Sequence, residues 1–550
     1  MKTRIVLTLV TSCALSLSHA ASRNMIWGEQ GHGPDLFQKK GKHNKFSVVS
    51  PQQDYQLQQL PSDNNDHIRY QIMYKGIPVW GHQLISHTRS GSKPLMTGIQ
   101  VSGIENDVTS IEGKLSAEMA QQKVMSAYQN PKLQQAEKVI YLDQNNKAHL
   151  AYHIAFFAAS TQKPIQSINA IIDANTGAIL KQWDAARSQK IGQGPGGNSF
   201  PLPYRPGMFQ HGDALPGLPS LGKVDVQLRD GQCFVENDNI KVFNLANVPL
   251  GFDAFPITTF AEKKLKLPVF SFPCEEGGLN LNYSDGATGP VNYAFSPVND
   301  TMYFATETLE MYQKVYGVPK PIGDDLPLKA YTHLGLMDNA FAVPTIKLGR
   351  LTMAHQQIVI GNGSDILTAP AQTVLAHELS HLFTAVNSNL IYDNQPGAIN
   401  EAFSDMAAIA LLDYLRKDYS WYWDGEDWSI GREAMIGGLQ PIRYMDDPTK
   451  DGISIAHMDS YVDSLNVHQT SGVFNKAFYN LAHKPNYSVQ RAFQLMVDAN
   501  RNYWSPIAYF DFAACGVIQA AHDRHWDKQA VIDSFAEVGV KCPVPPLDRM

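Results

Sequence analysis

The 550-residue chain reads as α+β: a mixed α/β region to about residue 190, a β-rich region over 191–365 and a helical region over 366–550. Three features carry that division. Residues 67–87 alternate as a β-hairpin does. A glycine-rich run, Gly192-Gln193-Gly194-Pro195-Gly196-Gly197-Asn198, cannot hold regular structure. After Pro370 the apolar residues recur at helical spacing. The length itself argues for about three or four units rather than one core.

Residues 1–20 stand apart. Lys2 and Arg4 precede an apolar stretch from residue 5 to about 17, and Ser18-His19-Ala20 offers small residues where signal peptidase reads them. This predicts a secretory signal peptide and a secreted, extracellular protein. The rival reading, a lipoprotein box ending at Cys13, fits less well because the apolar run continues past that cysteine. No later segment reaches about 18 uninterrupted apolar residues, so no membrane span is expected. A net charge of −7 with no Lys/Arg-rich run gives no support to nucleic acid as a partner.

Over residues 21–190, the segment from His67 to Tyr74 turns at Lys75-Gly76-Ile77-Pro78 and resumes through Val79 to His87. Ser116 can cap a helix running to about Tyr128, with Glu118 in its first turn. Strands near 149–159 and 167–172 follow, and Asp173-Ala174-Asn175-Thr176-Gly177 turns the chain into a strand ending near Trp183. The glycine-rich run marks a boundary and a natural site for proteolytic nicking. Beyond it, to about residue 365, the chain is rich in Gly, Pro, Asn and aromatics, with one helix predicted over about 297–316 and Pro297 in its first turn. Removing Cys13 with the leader leaves Cys233, Cys274, Cys515 and Cys542, an even number in an oxidising compartment. Three pairings are possible. The sequence-local one, Cys233 with Cys274 and Cys515 with Cys542, is the simplest, and four buried free thiols are the alternative.

In the helical region one segment carries chemistry: Ala376-His377-Glu378-Leu379-Ser380-His381-Leu382-Phe383. Leu375, Leu379, Leu382 and Val386 recur at helical spacing, so the segment belongs to a helix packed by one face. His377 and His381, at i and i+4, share a face one turn apart and can bind one ion together, and Glu378 can reach a water on that ion. The pattern is short enough to arise by chance as two core or surface histidines beside a glutamate. A catalytic zinc site, however, needs a third protein ligand and an open position. Nineteen residues separate His381 from Glu401, which lies within Gly397-Ala398-Ile399-Asn400-Glu401-Ala402-Phe403-Ser404-Asp405. Helical spacing there puts Glu401 and Asp405 on one face. Glu401 is the predicted third ligand, and Asp405 the acceptor that fixes a ligand imidazole's tautomer.

With these residues in place the sequence resembles the thermolysin family of zinc endopeptidases, in particular its secreted, disulfide-containing pseudolysin- and vibriolysin-like bacterial branch. Residues 67–87 resemble the family's propeptide and 116–183 its PepSY portion. Further matches are Asn-Tyr-Ala-Phe-Ser-Pro-Val-Asn-Asp at 292–300, Met-Val-Asp-Ala-Asn-Arg at 496–501 and Cys-Gly-Val-Ile at 515–518. The resemblance covers nearly the whole chain after the leader. It implies a zinc-dependent neutral endopeptidase made as an inactive precursor, acting on extracellular proteins and peptides. Residues 21–190 would be a propeptide that assists folding, inhibits the enzyme and is cleaved near 187–193. The mature protein would be a β-rich lobe and a helical lobe with the zinc cleft between them.

Site residues carry over one at a time. Asp463-Ser464-Leu465-Asn466-Val467-His468 resembles the family segment in which an aspartate orients a histidine, so Asp463 would orient His468, and His468 would stabilise the oxyanion. Tyr392 resembles the tyrosine that shares that role. Arg443 resembles the arginine that binds a substrate carbonyl. Asn339-Ala340-Phe341 matches the edge strand that hydrogen-bonds substrate backbone. Val374, Ile442 and Leu367 fall where the family builds the pocket for the residue after the cleaved bond; all are apolar, which implies preference for Leu, Phe or similar residues there.

The resemblance breaks at calcium. Thr373 stands where relatives carry an aspartate four residues before the first zinc histidine, and no acid follows Asp405 before Asp413. Calcium wants several carboxylates, so the usual site is expected to be dismantled. Asp413, Asp418, Asp424, Glu426 and Asp427 could form a shifted site, but they read as a solvated acidic loop. Two other functions compete. A zinc-binding scaffold or adhesin without catalysis would be expected to lose part of the set Glu378, His468 and Tyr392, all of which are present. The second makes the N-terminal region a secreted inhibitor or binding module in its own right.

Overall fold

The computed structural model describes residues 21–29, 38–39, 46–47, 54–60, 67–87, 95–128, 131–160, 163–184, 226–229, 232–245, 248, 256–273, 297–334, 339–348, 351–361, 371–417, 425–435 and 440–546. The predicted leader, the glycine-rich run, Cys274 with its pairing to Cys233, Leu367, Asp418 and Asp424 lie outside those residues.

The N-terminal region is built on a nine-stranded sheet. Its hairpin, His67–Tyr74 with Ile77–His87, turns on Lys75 and Gly76 alone. Both have positive φ, 47° and 80°, as a two-residue turn between twisted strands requires. Tyr55–Gln59 pairs with His67–Tyr74, while Leu95–Ser102 lies between Ile77–His87 and Ser22–Glu29. A second half, the antiparallel meander of Lys132–Leu142, Ala148–Ser160, Lys163–Asp173 and Ile179–Asp184, joins the first where Val79 pairs parallel with Ile140. Helix α1 (Ala117–Met125) starts at Ser116, whose Oγ accepts from the Met119 N–H at 3.3 Å, and buries Ala120 and Val124.

The middle region is β-rich as expected. Gln227–Arg229, Gln232–Phe234 and Ser271–Pro273 form one small sheet. Ile240–Asn244, Leu328–Thr332, Gln357–Ile360 and Ala340–Val343, in that spatial order, form another, with Ala340–Val343 at its edge. Ile346–Leu348 pairs with Leu351–Ala354, and helices α2 (Thr259–Leu265) and α3 (Pro297–Lys314) pack beside the sheets, α3 stopping two residues short of the expected Tyr316.

The C-terminal region is helical: α4 (Gln372–Val386), α5 (Asn394–Leu415), α6 (Val467–Thr470), α7 (Gly472–Ala482), α8 (Val489–Asn502), α9 (Phe510–Asp523) and α10 (Lys528–Ala536). Helices α4 and α5 are buried on nearly every side, which a stripe of apolar residues does not foretell. They form the middle of an apolar cluster that takes Val298, Tyr312 and Phe304 from α3 and Phe493, Trp504 and Phe512 from the far side. No helix among the described residues is long and apolar enough to cross a membrane.

Cys515 in α9 is bonded to Cys542, 27 residues on, and pins the last described stretch against that helix. Closing a loop of that size is worth about 3 kcal/mol. Replacing both cysteines, as Cys515→Ala with Cys542→Ser, should lower unfolding free energy by about that much in urea titrations. A loss under about 1 kcal/mol would mean that packing of Val538 and Val540 already fixes the tail.

Candidate metal centre

Helix α4 delivers His377, Glu378 and His381, and α5 delivers Glu401 and Asp405; all five side chains are fully buried. Gly397 allows this assembly, because a Cβ there would sit 2.6 Å from Val467 Cγ1 and 3.0 Å from the Tyr392 carbonyl carbon. The first turn of α5 can therefore touch both the Tyr392 segment and the helix that bears His468.

Three ligating atoms converge. His377 Nε2 and His381 Nε2 are 3.0 Å apart, Glu401 Oε2 lies 3.4 Å from the first and Glu401 Oε1 3.3 Å from the second. All three residues offer an atom within 4.8 Å of the others. The opposite face of each ring is spoken for. His377 Nδ1 donates to Asp405 Oδ1 at 2.9 Å, and His381 Nδ1 faces Asn400 Oδ1 at 2.9 Å and Ser404 Oγ at 3.2 Å. A neutral imidazole with its proton on Nδ1 presents a lone pair at Nε2, so two lone pairs and a carboxylate point at one small volume. That donor set fits a divalent cation of the zinc type.

Charge says the same. The carboxyl groups of Glu378, Glu401 and Asp405 are buried together, with Arg443 bonded to Asp405 as the guanidinium beside them. Glu378 meets no side-chain donor, only the Ala342 main chain, and Glu401 Oε2 has two imidazole nitrogens standing 3.4 Å from it. Burial drives the Glu378 carboxyl up to about 8, against the pull of His377 and Arg443. For His377, burial favours the neutral ring, but Glu401 and Asp405 together push it up to about 9. Glu401 is held well below the carboxylate range: burial opposes ionisation, and His468, His377 and His381 overcome it. The site is built to hold positive charge.

Around this core, Asp405 accepts from Arg443 Nη2 at 2.6 Å and Nε at 2.7 Å, and from Asn475 Nδ2 at 2.8 Å. Tyr392 donates its hydroxyl to Glu401 Oε1 and stands 3.3 Å from His468 Nε2, which is itself 3.4 Å from Glu401 Oε2. Val374, in the first turn of α4, belongs to the main apolar cluster, and Ile442 packs against it. Asn339 precedes the edge strand Ala340–Val343; its carbonyl accepts from the Gly361 N–H at 3.0 Å, and its buried Oδ1 has no partner. No described strand pairs with the other edge of Ala340–Val343.

One expected contact is not formed. Asp463 is exposed and sits by Tyr461, away from His468. The partner of His468 is Asn466, which caps α6: its Oδ1 accepts from the His468 N–H at 2.9 Å and faces Nδ1 at 2.6 Å. An N-capping side chain must bend back over the first helical turn, and His468 lies in that turn. Sequence reading also missed Asn400, Ser404 and Asn475. The first two lie on either side of Glu401 along α5, whereas nothing local marks Asn475, 70 residues from Asp405.

Comparisons with known proteins agree with this geometry. A family profile described as thermolysin metallopeptidase, alpha-helical domain, matches residues 388–540, and one described as fungalysin/thermolysin propeptide motif matches residues 62–98. The chain is similar to a virulence metalloprotease of Vibrio anguillarum, 31% identical over 98% of this chain and 82% of that one. It is also similar to a neutral protease of Vibrio proteolyticus, 33% identical over 86% and 71%. A zinc metalloproteinase of Legionella pneumophila is 31% identical over 90% and 89%.

Asn400→Ala tests the support shell without touching a ligand. Zinc affinity, read by competition with a chromogenic chelator, should fall about tenfold, the low end for an outer hydrogen bond because Ser404 Oγ remains on His381. Unchanged affinity would mean that Asn400 does not orient the ring.

Proposed function

The chain belongs to the thermolysin family of metallopeptidases, and from that premise we propose that it is a secreted zinc endopeptidase whose N-terminal region is its own inhibitor and folding aid. The observation that carries the catalytic reading is the buried convergence of His377, His381 and Glu401 on one small volume, with the Glu378 carboxyl buried beside His377.

His377, His381 and Glu401 would hold the metal. Zinc, when bound, supplies a Lewis acid that lowers the pKa of a water and polarises the scissile carbonyl. Glu378, buried and meeting no side-chain donor, takes the proton from the attacking water and returns it to the leaving amine. Tyr392 turns its hydroxyl from Glu401 toward the carbonyl oxygen as charge builds there. His468 donates from Nε2 when its ring is protonated; burial disfavours that form and the Glu401 carboxylate favours it. Arg443, fixed by two bonds to Asp405, keeps its remaining N–H groups for a substrate carbonyl. The unpaired edge of Ala340–Val343 and the Asn339 side chain would receive the substrate backbone as an added strand. Val374 and Ile442 make the following pocket apolar, which favours large apolar residues after the cleaved bond.

The inhibitory role of the N-terminal region is supported by where it touches. Lys181 Nζ is 2.5 Å from Asp393 Oδ2, and Ile391 packs against the apolar cluster of the N-terminal sheet that contains Val139, Tyr141 and Trp183, so both neighbours of Tyr392 are gripped. Removal near 187–193 would release that grip. Calcium is left out of the reading. Thr373 Oγ1 accepts from the Gly431 N–H at 3.0 Å, Asp413 pairs with Arg416 at 2.6 Å, and Asp427 pairs with Arg432.

Casein hydrolysis with bound zinc measured in parallel tests the mechanism. Glu378→Ala should keep zinc and lose at least about 10²–10⁴-fold in kcat. His468→Ala should lose about 10²–10³-fold in kcat with little change in KM. Asn466→Ala should cost about tenfold through the ring it orients, whereas Asp463→Ala should stay near wild type. Wild-type protein that holds zinc yet leaves casein intact would replace the enzyme reading with that of a non-catalytic scaffold.

A further inference from the structure

Arg69 leaves the hairpin strand His67–Tyr74, is buried to 8% exposure, and finds no carboxylate among the described residues. Its guanidinium is spent on main-chain oxygens of the C-terminal region. Nη1 donates to Trp504 O at 2.7 Å, and Nη2 to Arg501 O at 3.0 Å and Asn500 O at 3.2 Å. These oxygens belong to the end of α8 and the turn after it. Tyr503 N and Trp504 N both bond to Ala499 O, so the amide that would ordinarily reach the Asn500 carbonyl is turned elsewhere. A cation is also what the negative end of a helix dipole favours. Arg69 remains a cation there, though burial lowers it to about 10.

The surroundings keep water out. Trp27 packs edge-on against Phe512 with ring centres 5.8 Å apart, and His87 stacks on Tyr503 at 5.1 Å. Gly81 comes so close that an added Cβ would lie 2.5 Å from Ile507 Cγ2. On its other side the same helix end is tied to α4. Asn500 Oδ1 accepts from Ser388 Oγ at 2.7 Å and Ser388 N at 3.2 Å, and its Nδ2 donates to Thr384 Oγ1 at 3.0 Å, in the last turn of the helix that carries His377 and His381.

We propose that the carbonyls of Asn500, Arg501 and Trp504 form a guanidinium-binding notch on the catalytic unit, and that Arg69 is its resident ligand. After the chain is cut between the two units, this contact is the principal anchor that keeps the N-terminal region attached. The proposal rests on the reading of that region as a propeptide. A planar fork of N–H donors on two separate nitrogens matches three oxygens spread over about one turn of backbone, a geometry that the compact ammonium of lysine fits less well. Truncating the arginine removes three hydrogen bonds from a buried interface at once, which places Arg69 among the few residues that dominate an interface.

The test uses the full chain carrying Glu378→Ala, so that the protein does not digest itself, nicked by an added protease in the glycine-rich run at 192–197. The rate at which the two fragments separate is then followed by size-exclusion chromatography. Arg69→Met should speed separation by at least about thirtyfold, and Arg69→Lys should fall between. Lys75→Ala, on the same hairpin but exposed, should change nothing. Free arginine at millimolar concentration should hasten separation of the unsubstituted fragments where equal lysine does not, a readout that survives if Arg69→Met fails to fold. Arg69→Met fragments that separate at the wild-type rate would overturn the proposal, and so would a lysine variant as slow as wild type. Because the readout is attachment rather than peptide cleavage, either result leaves the catalytic reading untouched, and an inactive wild-type enzyme would leave this one untouched.

Discussion

A single buried carboxylate organises the catalytic centre. Asp405 accepts from His377 Nδ1, from two nitrogens of Arg443 and from Asn475, and so ties α4, α5, the strand Arg443–Tyr444 and α7 to one point. An ionised carboxyl in a dry interior is tolerable only when such partners surround it. Here Arg443 holds it well below the usual range, despite burial. The helices cannot shift relative to one another without breaking a charge-assisted bond, and the imidazole geometry at His377 follows from that rigidity.

The second constraint is the buried charge itself. In an apolar cluster as large as this one, three buried carboxyl groups beside one guanidinium are kept only by shifting protons, Glu378 and His377 both being driven toward their protonated forms. Local rules of good folding are strained here: two imidazole nitrogens face each other at 3.0 Å, beside a buried glutamate that meets no side-chain donor. Violations of that kind concentrate where function outweighs stability. The carboxyl left without a side-chain donor is the one the chemistry needs free.

Much of this was legible before the fold was known, and the reason is periodicity. Residues at i and i+4 share a helix face, so His377 with His381, and Glu401 with Asp405, were paired by arithmetic alone, as the hairpin at 67–87 was by alternation. Long-range partners carry no such signature. Arg443 came only through family resemblance and Asn475 not at all, because their meeting with Asp405 depends on how helices pack. Asp463 shows the opposite failure. Its place in a motif suggested a bond to His468, but capping geometry delivered Asn466 instead, three residues nearer along the chain. The joint between the two halves of the N-terminal sheet, one parallel pair at Val79 and Ile140, is equally invisible in sequence, since the strands on either side would look the same without it.

Arg69 and Trp504 touch across 435 positions of sequence. A chain made from its N-terminus offers the guanidinium early and the carbonyls almost last. Contacts of such separation form slowly, because the loop must close before anything rewards it. The hairpin, whose own pairings are local, can be complete long before α8 exists. The early-made region therefore waits as a finished surface, and the end of α8 is the last edge to be fitted to it. If the N-terminal region is the folding aid proposed above, synthesis order makes it a mould rather than merely a cover: the last helices have a shaped and charged place to arrive at.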